Sequence, residues 1–235
     1  MVKIEKGDFI KIDYSARLAA TNQLFDTSSV EKAKEEKIFD EHSSYSPTLV
    51  VVGKGHVVGG LDEALEGMDV GEEKKIEIAP EKGFGVRDPN LVKILPVAEF
   101  KKRDINPFPG MVVDLDGNKA IVRSVSGGRV MVDLNHTLAG ERLVYEVKIV
   151  EKLEMLDSKI KAMLERFNLK SSEFKVEGDV LEVSFPKEVK KDINFMINKS
   201  NFVASLLQLI NEIKKIKVLE EYDKSTTEAQ ETQKT

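Results

Sequence analysis

The sequence contains no cysteine and no tryptophan, and its three histidines, His42, His56 and His136, are far apart. Without cysteine, the chain has no disulfide, no thiol nucleophile and no thiolate ligand for a metal. The histidines show neither the spacing of a metal site nor the context of a catalytic triad. We therefore expect no metal, no other cofactor and no covalent catalysis.

Long apolar runs and an excess of basic residues are also missing. The longest apolar runs are far shorter than the roughly 20 residues that a membrane-spanning helix needs. The 36 Lys and Arg and the 41 Asp and Glu are spread through the chain, with a formal net charge of -5, which is unlike a nucleic-acid-binding surface. The N-terminal residues show no apolar signal core. We expect a cytoplasmic protein that binds neither membranes nor nucleic acids.

The residues that are present predict an α+β fold of one to three domains. Hydrophobic residues make up 41% of the 235 residues, enough for a sizeable core. Residues 9–18 alternate as in a strand, which directs Tyr14 inward. Leu61, Leu65 and Met68 have helical spacing on a short helix that Gly71 closes, and residues 75–78 resume a strand pattern.

Between these elements, residues 28–47 form an excursion. Ser28 and Glu31 have capping-box spacing ahead of a short charged helix over residues 32–36. The excursion returns to the sheet at Pro47. We interpret it as a surface loop, with a flap over a binding site as the alternative.

Residues 86–134 have a different character and predict an inserted, mostly antiparallel module. Prolines interrupt the first half, and β-rich runs follow at 111–115, 120–125 and 130–134. The pairs Asp116-Gly117 and Gly127-Gly128 separate these runs, as hairpin turns require. Residues 143–149 then alternate like the missing last strand of the interrupted sheet, so residues 1–85 and 135–151 form one domain.

A third region, residues 152–222, predicts a small α+β domain. Asp157 is the expected cap of a helix with the apolar stripe Ile160, Met163, Leu164 and Phe167. A hairpin around Gly178-Asp179 precedes a longer helix, whose stripe from Phe202 to Ile213 we interpret as core. A homodimer or client-binding face on that stripe is the alternative. Residues 223–235 are almost free of apolar side chains and are expected to be disordered.

Several of these residues occur in the order of a known motif. Tyr14, Phe25-Asp26-Thr27, Gly53 to Gly60, Leu61, Val70-Gly71-Glu72 and Phe84-Gly85 resemble the FKBP-type peptidyl-prolyl isomerases. The string from Asn135 to Glu141 resembles the signature that follows the inserted flap in the SlyD-like branch. The C-terminal region is similar in length and pattern to the extra domain of long archaeal FKBPs. The resemblance implies an FKBP-like antiparallel sheet wrapped on a short helix.

The resemblance also implies a site and a reaction. An apolar pocket would receive a proline ring, and the backbone N–H near Val58 would hold a substrate carbonyl. Asp26 would either polarise the bond being twisted or orient its neighbours. The implied catalytic residues are Tyr14, Phe25, Asp26, Val57, Val58, Leu61, Phe84 and Tyr145.

Two positions depart from many members of the family. Leu61 stands where they have tryptophan, and Phe84 stands where they have tyrosine. A leucine floor is shallower, and phenylalanine loses one hydrogen-bond donor, worth about 1 kcal/mol net. Binding of macrolide-type inhibitors is therefore less expected than isomerisation.

The inserted flap acts as a chaperone domain in the SlyD-like branch, which implies unfolded, proline-containing polypeptides as partners. The apolar residues expected to bind them, with core packing as the alternative, are Ile94, Leu95, Val97, Phe100, Phe108, Met111, Met131 and Val132. A phosphate site at Gly53-Lys54-Gly55 is excluded because the glycine that the motif needs is replaced by Val58. The competing function is a non-catalytic chaperone on the same scaffold.

Overall fold

The computed structural model describes residues 2–169, 172–185 and 193–220. The strands are β1 Phe9–Leu18, β2 Leu24–Thr27, β3 Thr48–Val51, β4 Glu73–Ile78, β5 Val92–Pro96, β6 Val112–Leu115, β7 Asn118–Ser126, β8 Arg129–Asp133, β9 Leu143–Leu153, β10 Glu173–Glu177, β11 Val180–Ser184 and β12 Lys215–Leu219. The helices are α1 Val30–Glu35, α2 Gly59–Leu65, α3 Val97–Lys101, α4 Leu156–Arg166 and α5 Ile193–Leu209. Apart from the parallel pair β11–β12, the strands pair antiparallel, and with the few helices this agrees with the expected α+β class.

The first sheet is built around β1. Strand β9 pairs with β1 along its length, from Phe9 opposite Leu153 to Leu18 opposite Leu143. Strands β2 and β3 share the other edge of β1, and β4 pairs with the far edge of β9. The prediction that residues 143–149 return to this sheet is confirmed, and the strand continues to Leu153.

Helix α2 packs on one face of this sheet. Ile10 and Ile12 of β1 and Leu61 and Leu65 of α2 belong to one buried cluster. The helix is shorter than predicted because Gly67, with φ +84°, turns the chain before Gly71 is reached. Met68 lies beyond the helix end but is still buried in the cluster.

The excursion lies on the opposite face of the first sheet. Helix α1 is capped by Ser29, whose hydroxyl accepts a hydrogen bond from the Lys32 N–H. The prediction of Ser28 as the cap is wrong, since the Ser28 hydroxyl donates to Asp13 of β1 instead. The excursion and the sheet enclose a polar cleft of about 450 Å³ lined by residues that include Asp13, Ser15 and Lys32.

The second sheet lies within the inserted segment and has the order β5-β8-β7-β6, with every pair antiparallel. Asp116, Gly117, Gly127 and Gly128 all have positive φ, which confirms the two predicted turns. Strand β5 and helix α3 were not predicted, because prolines at their ends obscured the pattern. The buried core of the inserted segment contains Phe100, Val113, Ala120, Val122, Val130 and Val132.

Hydrogen bonds join the two connections between these sheets. The Gly140 N–H donates to the Gly85 carbonyl (2.8 Å), and the Leu134 N–H donates to the Leu91 carbonyl (3.0 Å). The chain therefore leaves and re-enters the first sheet at neighbouring positions, which is the arrangement that tolerates an insertion.

The third sheet has the order β10-β11-β12 and is flanked by α4 and α5. Asp157 is not the cap of α4: the helix starts after Met155, with no side-chain hydrogen bond at the cap. Phe202, Leu206, Ile210 and Ile213 are buried, so the core interpretation of this stripe is confirmed and the alternative of an exposed dimer or client-binding face on it is wrong. They share one buried cluster with Phe9, Leu49 and Leu153 of the first sheet. The predicted disordered tail lies outside the described residues. No helix within those residues has the length and apolar character needed to cross a membrane.

Candidate functional site

Four aromatic side chains form a continuous layer on the α2 side of the first sheet. The ring centroids of Tyr14 and Tyr145 are 6.1 Å apart, and the Tyr145 ring meets Phe25 edge-on at 6.2 Å. Phe25 in turn meets Phe84 edge-on, also at 6.2 Å. These spacings and tilts are typical of favourable aromatic pairs.

The strands and α2 bring the sequence-predicted apolar pocket residues into one cluster. Tyr145 and Leu61 are buried, while the other members are partly buried and pack against them. The members of this group are Tyr14, Phe25, Val57, Val58, Leu61, Phe84 and Tyr145. Asp26 is exposed at the edge of the layer, on β2.

One hydrogen bond defines the polar end of the layer. The Tyr14 hydroxyl donates to the Asp26 carboxylate at 2.8 Å. Burial and then the nearby charge of Asp26 raise the pKa of Tyr14 above its ordinary value, and the same two causes raise the pKa of Tyr145. Both phenols therefore stay protonated at neutral pH, and Tyr14 remains a donor.

The loop that carries Val57 and Val58 is held by two side chains. The Asp62 carboxylate accepts the N–H groups of Gly53 (2.8 Å) and Gly55 (3.1 Å). Nδ1 of His56 accepts the Val51 N–H of β3 at 3.1 Å. Burial, and secondarily the charge of Arg166, lowers the pKa of His56 to about 4, although Asp62 opposes this. The imidazole is thus neutral and able to accept.

Several backbone donors of the loop are available, and the Val58 N–H is one of them. Among the described residues, the Val58 N–H has no hydrogen-bond acceptor, whereas the Val58 carbonyl accepts from Leu61 and Asp62. Val58 is half-buried at the edge of the apolar cluster. The sequence analysis expected a donor near Val58 to hold a substrate carbonyl, and that role stays a prediction.

Two residues at the site were missed by the sequence analysis. The sequence analysis gave Asp62 no role, and only the fold shows that it holds the loop. His136 lies in the string that resembles the SlyD-like branch, and its imidazole stacks on the Phe84 ring at 4.4 Å between centroids and 6° between planes. Its position in that motif was the available signal.

The arrangement suits binding and orientation rather than bond cleavage. Among the described residues, no cluster of three or more His, Asp or Glu side chains could hold a metal ion. The polar cleft beneath the excursion is large but carries charges of both signs and lies on the other face of the sheet. The aromatic layer, with an apolar floor and polar groups at its rim, is therefore the better candidate for a peptide site.

The apolar residues predicted to bind chains in the insert fall into different environments. Phe100 and Val132 are core residues, with 2% and 0% exposure, because α3 packs across the sheet. Leu95, Val97 and Met111 are partly buried against that core. Ile94, Phe108 and Met131 are exposed, and Val112, which was not predicted, is exposed as well.

Comparison with known proteins gives matches of the same kind. The family described as "FKBP26, IF domain" matches residues 93–138. A short-type peptidyl-prolyl cis-trans isomerase of Methanocaldococcus jannaschii is 40% identical over 146 residues, covering 62% of this chain and 92% of the relative. The FKBP-type isomerase SlyD of Haemophilus influenzae is 27% identical over 166 residues, covering 65% of this chain and 74% of the relative.

A third relative is also an FKBP-type isomerase. The FKBP-type 16 kDa peptidyl-prolyl cis-trans isomerase of Escherichia coli is 28% identical over 110 residues, covering 45% of this chain and 73% of the relative. The identity of 40% over 92% of the Methanocaldococcus protein shows the family, and the aromatic layer contains the residues that resemble the family's motif. This chain belongs to the FKBP-type peptidyl-prolyl cis-trans isomerases.

Proposed function

We propose that the aromatic layer is the isomerase pocket and that it works by favouring the twisted imide. Rotation about an X–Pro bond has a barrier of roughly 18–20 kcal/mol because the planar bond has partial double-bond character. Twisting removes this resonance and the charge separation that accompanies it. An apolar, water-poor surface therefore favours the twisted state, and bonds to the flanking chain supply orientation.

The series of four adjacent aromatic rings, in one cluster with the buried Leu61, is the observation that carries this proposal. The free Val58 N–H binds a substrate carbonyl and fixes the chain. Asp26, which is held by Tyr14, either polarises the imide or orients its neighbours. No step needs an acid, a base or a covalent intermediate.

A refolding assay tests the pocket. The full chain is added to a protein whose slow refolding phase is limited by proline isomerisation, with no protease present. We expect the acceleration of this phase by Asp26→Ala/Phe84→Ala to be weaker than that by wild type by a factor of about ten or more. A factor of ten corresponds to about 1.4 kcal/mol of barrier. Phe39→Ala, a truncation of an exposed phenylalanine in the excursion, is the matched control. Equal rates for the pocket variant and wild type would refute the pocket.

We also propose that residues 86–134 are a chaperone domain that holds unfolded chains beside the pocket. Ile94 and Met131 are paired neighbours on β5 and β8, and both are exposed on the same face. Strands β5 and β6 are the two edges of their sheet. Apolar side chains beside open strand edges suit capture of an extended chain by strand addition. Capture raises the effective concentration of proline bonds near the site.

Exposed residues of the insert allow a test that leaves its core intact. Ile94→Ser/Phe108→Ser/Met131→Ser should suppress aggregation of a refolding protein less than wild type and slow isomerisation of that protein, but not of a short peptide. Met155→Ser, which removes a 70% exposed methionine outside the insert, is the control. Unchanged aggregation suppression in the triple variant and in a chain lacking residues 86–134 would contradict the chaperone role.

For the remaining region we propose a domain spanning residues 152–222 that forms a homodimer. Ile193, Met196, Ile197 and Leu207 of α5 are exposed apolar residues on one long helix. A second copy is the partner that this face suits. Light scattering on the full chain should give twice the monomer mass, and Met196→Glu/Ile197→Glu should give the monomer mass. A monomeric wild type would refute the dimer.

We place the protein in the cytoplasm, with unfolded, proline-containing polypeptides as its partners.

A further inference from the structure

The aromatic layer has a polar group at each end. One end is the Tyr14 hydroxyl bound to Asp26, and the other is the imidazole of His136 stacked on Phe84. We propose that His136 contacts the substrate directly and donates a hydrogen bond from its Nε2–H to a backbone carbonyl of the bound peptide. This inference rests on the proposed pocket and names a further residue in it.

The backbone that carries His136 is held firmly in place. The preceding residue, Asn135, is buried, and its amide bonds both the N–H and the carbonyl of Asp88, at 2.8 and 3.0 Å. Its side chain also donates to the buried Asp133 at 2.8 Å. On the other side, the His136 carbonyl accepts the Ala139 N–H at 2.9 Å. The imidazole therefore projects from a rigid turn.

The imidazole itself is also fixed, in spite of its exposure. It lies parallel to the Phe84 ring, and its Nδ1 accepts the Leu138 N–H at 3.1 Å. Since an Nδ1 that accepts a hydrogen bond carries no proton, the N–H of this ring is on Nε2. Within the part of the chain that the structure describes, this Nε2–H has no hydrogen-bond partner. An oriented donor is thus free at the rim of the pocket.

The chemistry of the reaction indicates which carbonyl it binds. Twisting the imide reduces the negative charge on its own oxygen, so a donor there would stabilise the planar ground state. A useful donor binds a carbonyl outside the twisting bond, because there it anchors the chain equally in the planar ground state and in the twisted transition state. Phe84 has no donor to offer, and the histidine stacked on it supplies one. Such uniform binding lowers KM and leaves kcat nearly unchanged.

Paired substitutions separate the donor from the ring. His136→Phe keeps an aromatic ring on Phe84 but removes the N–H, and His136→Ala removes both. Phe84→Tyr in the His136→Phe background restores a hydroxyl at the neighbouring position. His42→Phe, at an exposed histidine in the excursion, is the matched control. All are measured in the full chain by NMR exchange on a tetrapeptide with a single Leu-Pro bond, and urea midpoints check the fold.

We expect His136→Phe to raise KM roughly threefold to tenfold, the loss of one hydrogen bond, with kcat within about twofold of wild type. The hydroxyl introduced by Phe84→Tyr should recover most of this loss. In wild type, the Nε2 nitrogen resonance of His136 should shift when the peptide saturates the enzyme. An unchanged KM in His136→Phe, or an unmoved Nε2 resonance, overturns the inference.

The pocket variant distinguishes this inference from the proposal beneath it. If Asp26→Ala/Phe84→Ala is inactive on the tetrapeptide while His136→Phe behaves as wild type, the pocket stands and the role of His136 is refuted. If the pocket variant retains the wild-type rate, the pocket and the role of His136 are refuted together.

Discussion

At the scale of single residues, the phenol of Tyr14 connects burial, charge and the site. Its pKa is raised above the ordinary value of 10.0 by burial and by Asp26. In the unfolded chain the phenol loses its proton near pH 10, whereas the phenol of the native chain is still protonated at that pH. The raised pKa therefore stabilises the native state fully below pH 10, and this contribution is lost as the pH rises further.

We expect the free energy of unfolding of wild type to fall more steeply than that of Tyr14→Phe between about pH 9 and about pH 11. The difference should be about 1 kcal/mol, discounted for partial exposure. Urea unfolding at each pH measures it. The groups other than the Tyr14 phenol are the same in both proteins, so their contributions cancel in the difference. Parallel pH profiles for wild type and Tyr14→Phe would mean that the phenol is not protected.

His56 gives a second pH dependence, at the acidic side. Its pKa falls from 6.5 to about 4 in the native chain. Between these values the unfolded chain binds a proton that the native chain does not, so the free energy of unfolding decreases as the pH is lowered. We expect a loss of about 1–2 kcal/mol, discounted for the half-exposed ring. His56→Asn keeps an acceptor for the Val51 N–H and cannot titrate, so its urea midpoint should lack this step.

At the scale of elements, helix α2 offers two adjacent glycines with different surroundings. A Cβ added at Gly60 would lie 2.6 Å from Cγ2 of Ile78 on β4, whereas one at Gly59 would lie 3.6 Å from the Lys82 carbonyl. We expect Gly60→Ala to destabilise the protein by about 1–3 kcal/mol through overpacking. Gly59→Ala should be nearly neutral. Thermal unfolding compares the two variants, and equal effects would show that α2 and β4 are not closely packed at Gly60.

The connection between the first two sheets depends on Asp133. Its buried carboxylate pairs with Arg87 and Arg123 and accepts two hydrogen bonds from Asn135. Burial alone would raise the pKa of Asp133, but the hydrogen bonds of Asn135 and Arg123 and the charge of Arg87 lower it overall. The ionised carboxylate is therefore the stable form in the native chain.

We expect Asp133→Asn to cost about 1–3 kcal/mol, because two guanidinium groups lose their charged partner. Asp116→Asn is the matched control, since Asp116 pairs with Arg103 at a side chain that is 86% exposed. That control should change stability by less than about 0.5 kcal/mol. Urea unfolding measures both. Similar costs for the two substitutions would contradict the special role of the buried carboxylate.

At the scale of the whole molecule, the C-terminal region shares a core with the isomerase sheet. Phe9, Leu49 and Leu153 are buried against Phe202 and its neighbours, and Arg166 of α4 donates to the Leu49 carbonyl at 2.9 Å. The insert, in contrast, has a core drawn only from its own residues. The sheet and the C-terminal region are therefore expected to unfold together, and the insert separately.

Phe202→Ala tests this coupling from the C-terminal side. The substitution leaves a cavity in the shared core and should cost about 3–5 kcal/mol. Hydrogen exchange should show that amides of β1 and β9 lose protection in this variant, while amides of β7 and β8 keep theirs. If only the C-terminal strands lost protection, the region would be an independent unit.

The amino-acid sequence predicted the local features that depend on nearest neighbours. Alternation located β1 and β9, and the positive-φ pairs at Asp116-Gly117 and Gly127-Gly128 located both turns of the insert. Motif order identified the residues of the aromatic layer. Local signals failed where two similar residues compete for one role. Ser29 rather than Ser28 caps α1, and Gly67 rather than Gly71 ends α2.

The order of residues along the chain was enough to predict the enzyme class, because the residues of the proposed pocket follow one another as in a recognisable motif. Three features became visible only in the folded chain: which apolar residues of the insert are core, the core that the C-terminal region shares with the first sheet, and the stacking of His136 on Phe84. These depend on contacts between residues far apart in the chain. Such contacts leave no periodic pattern, because they are fixed by how the sheets and helices pack.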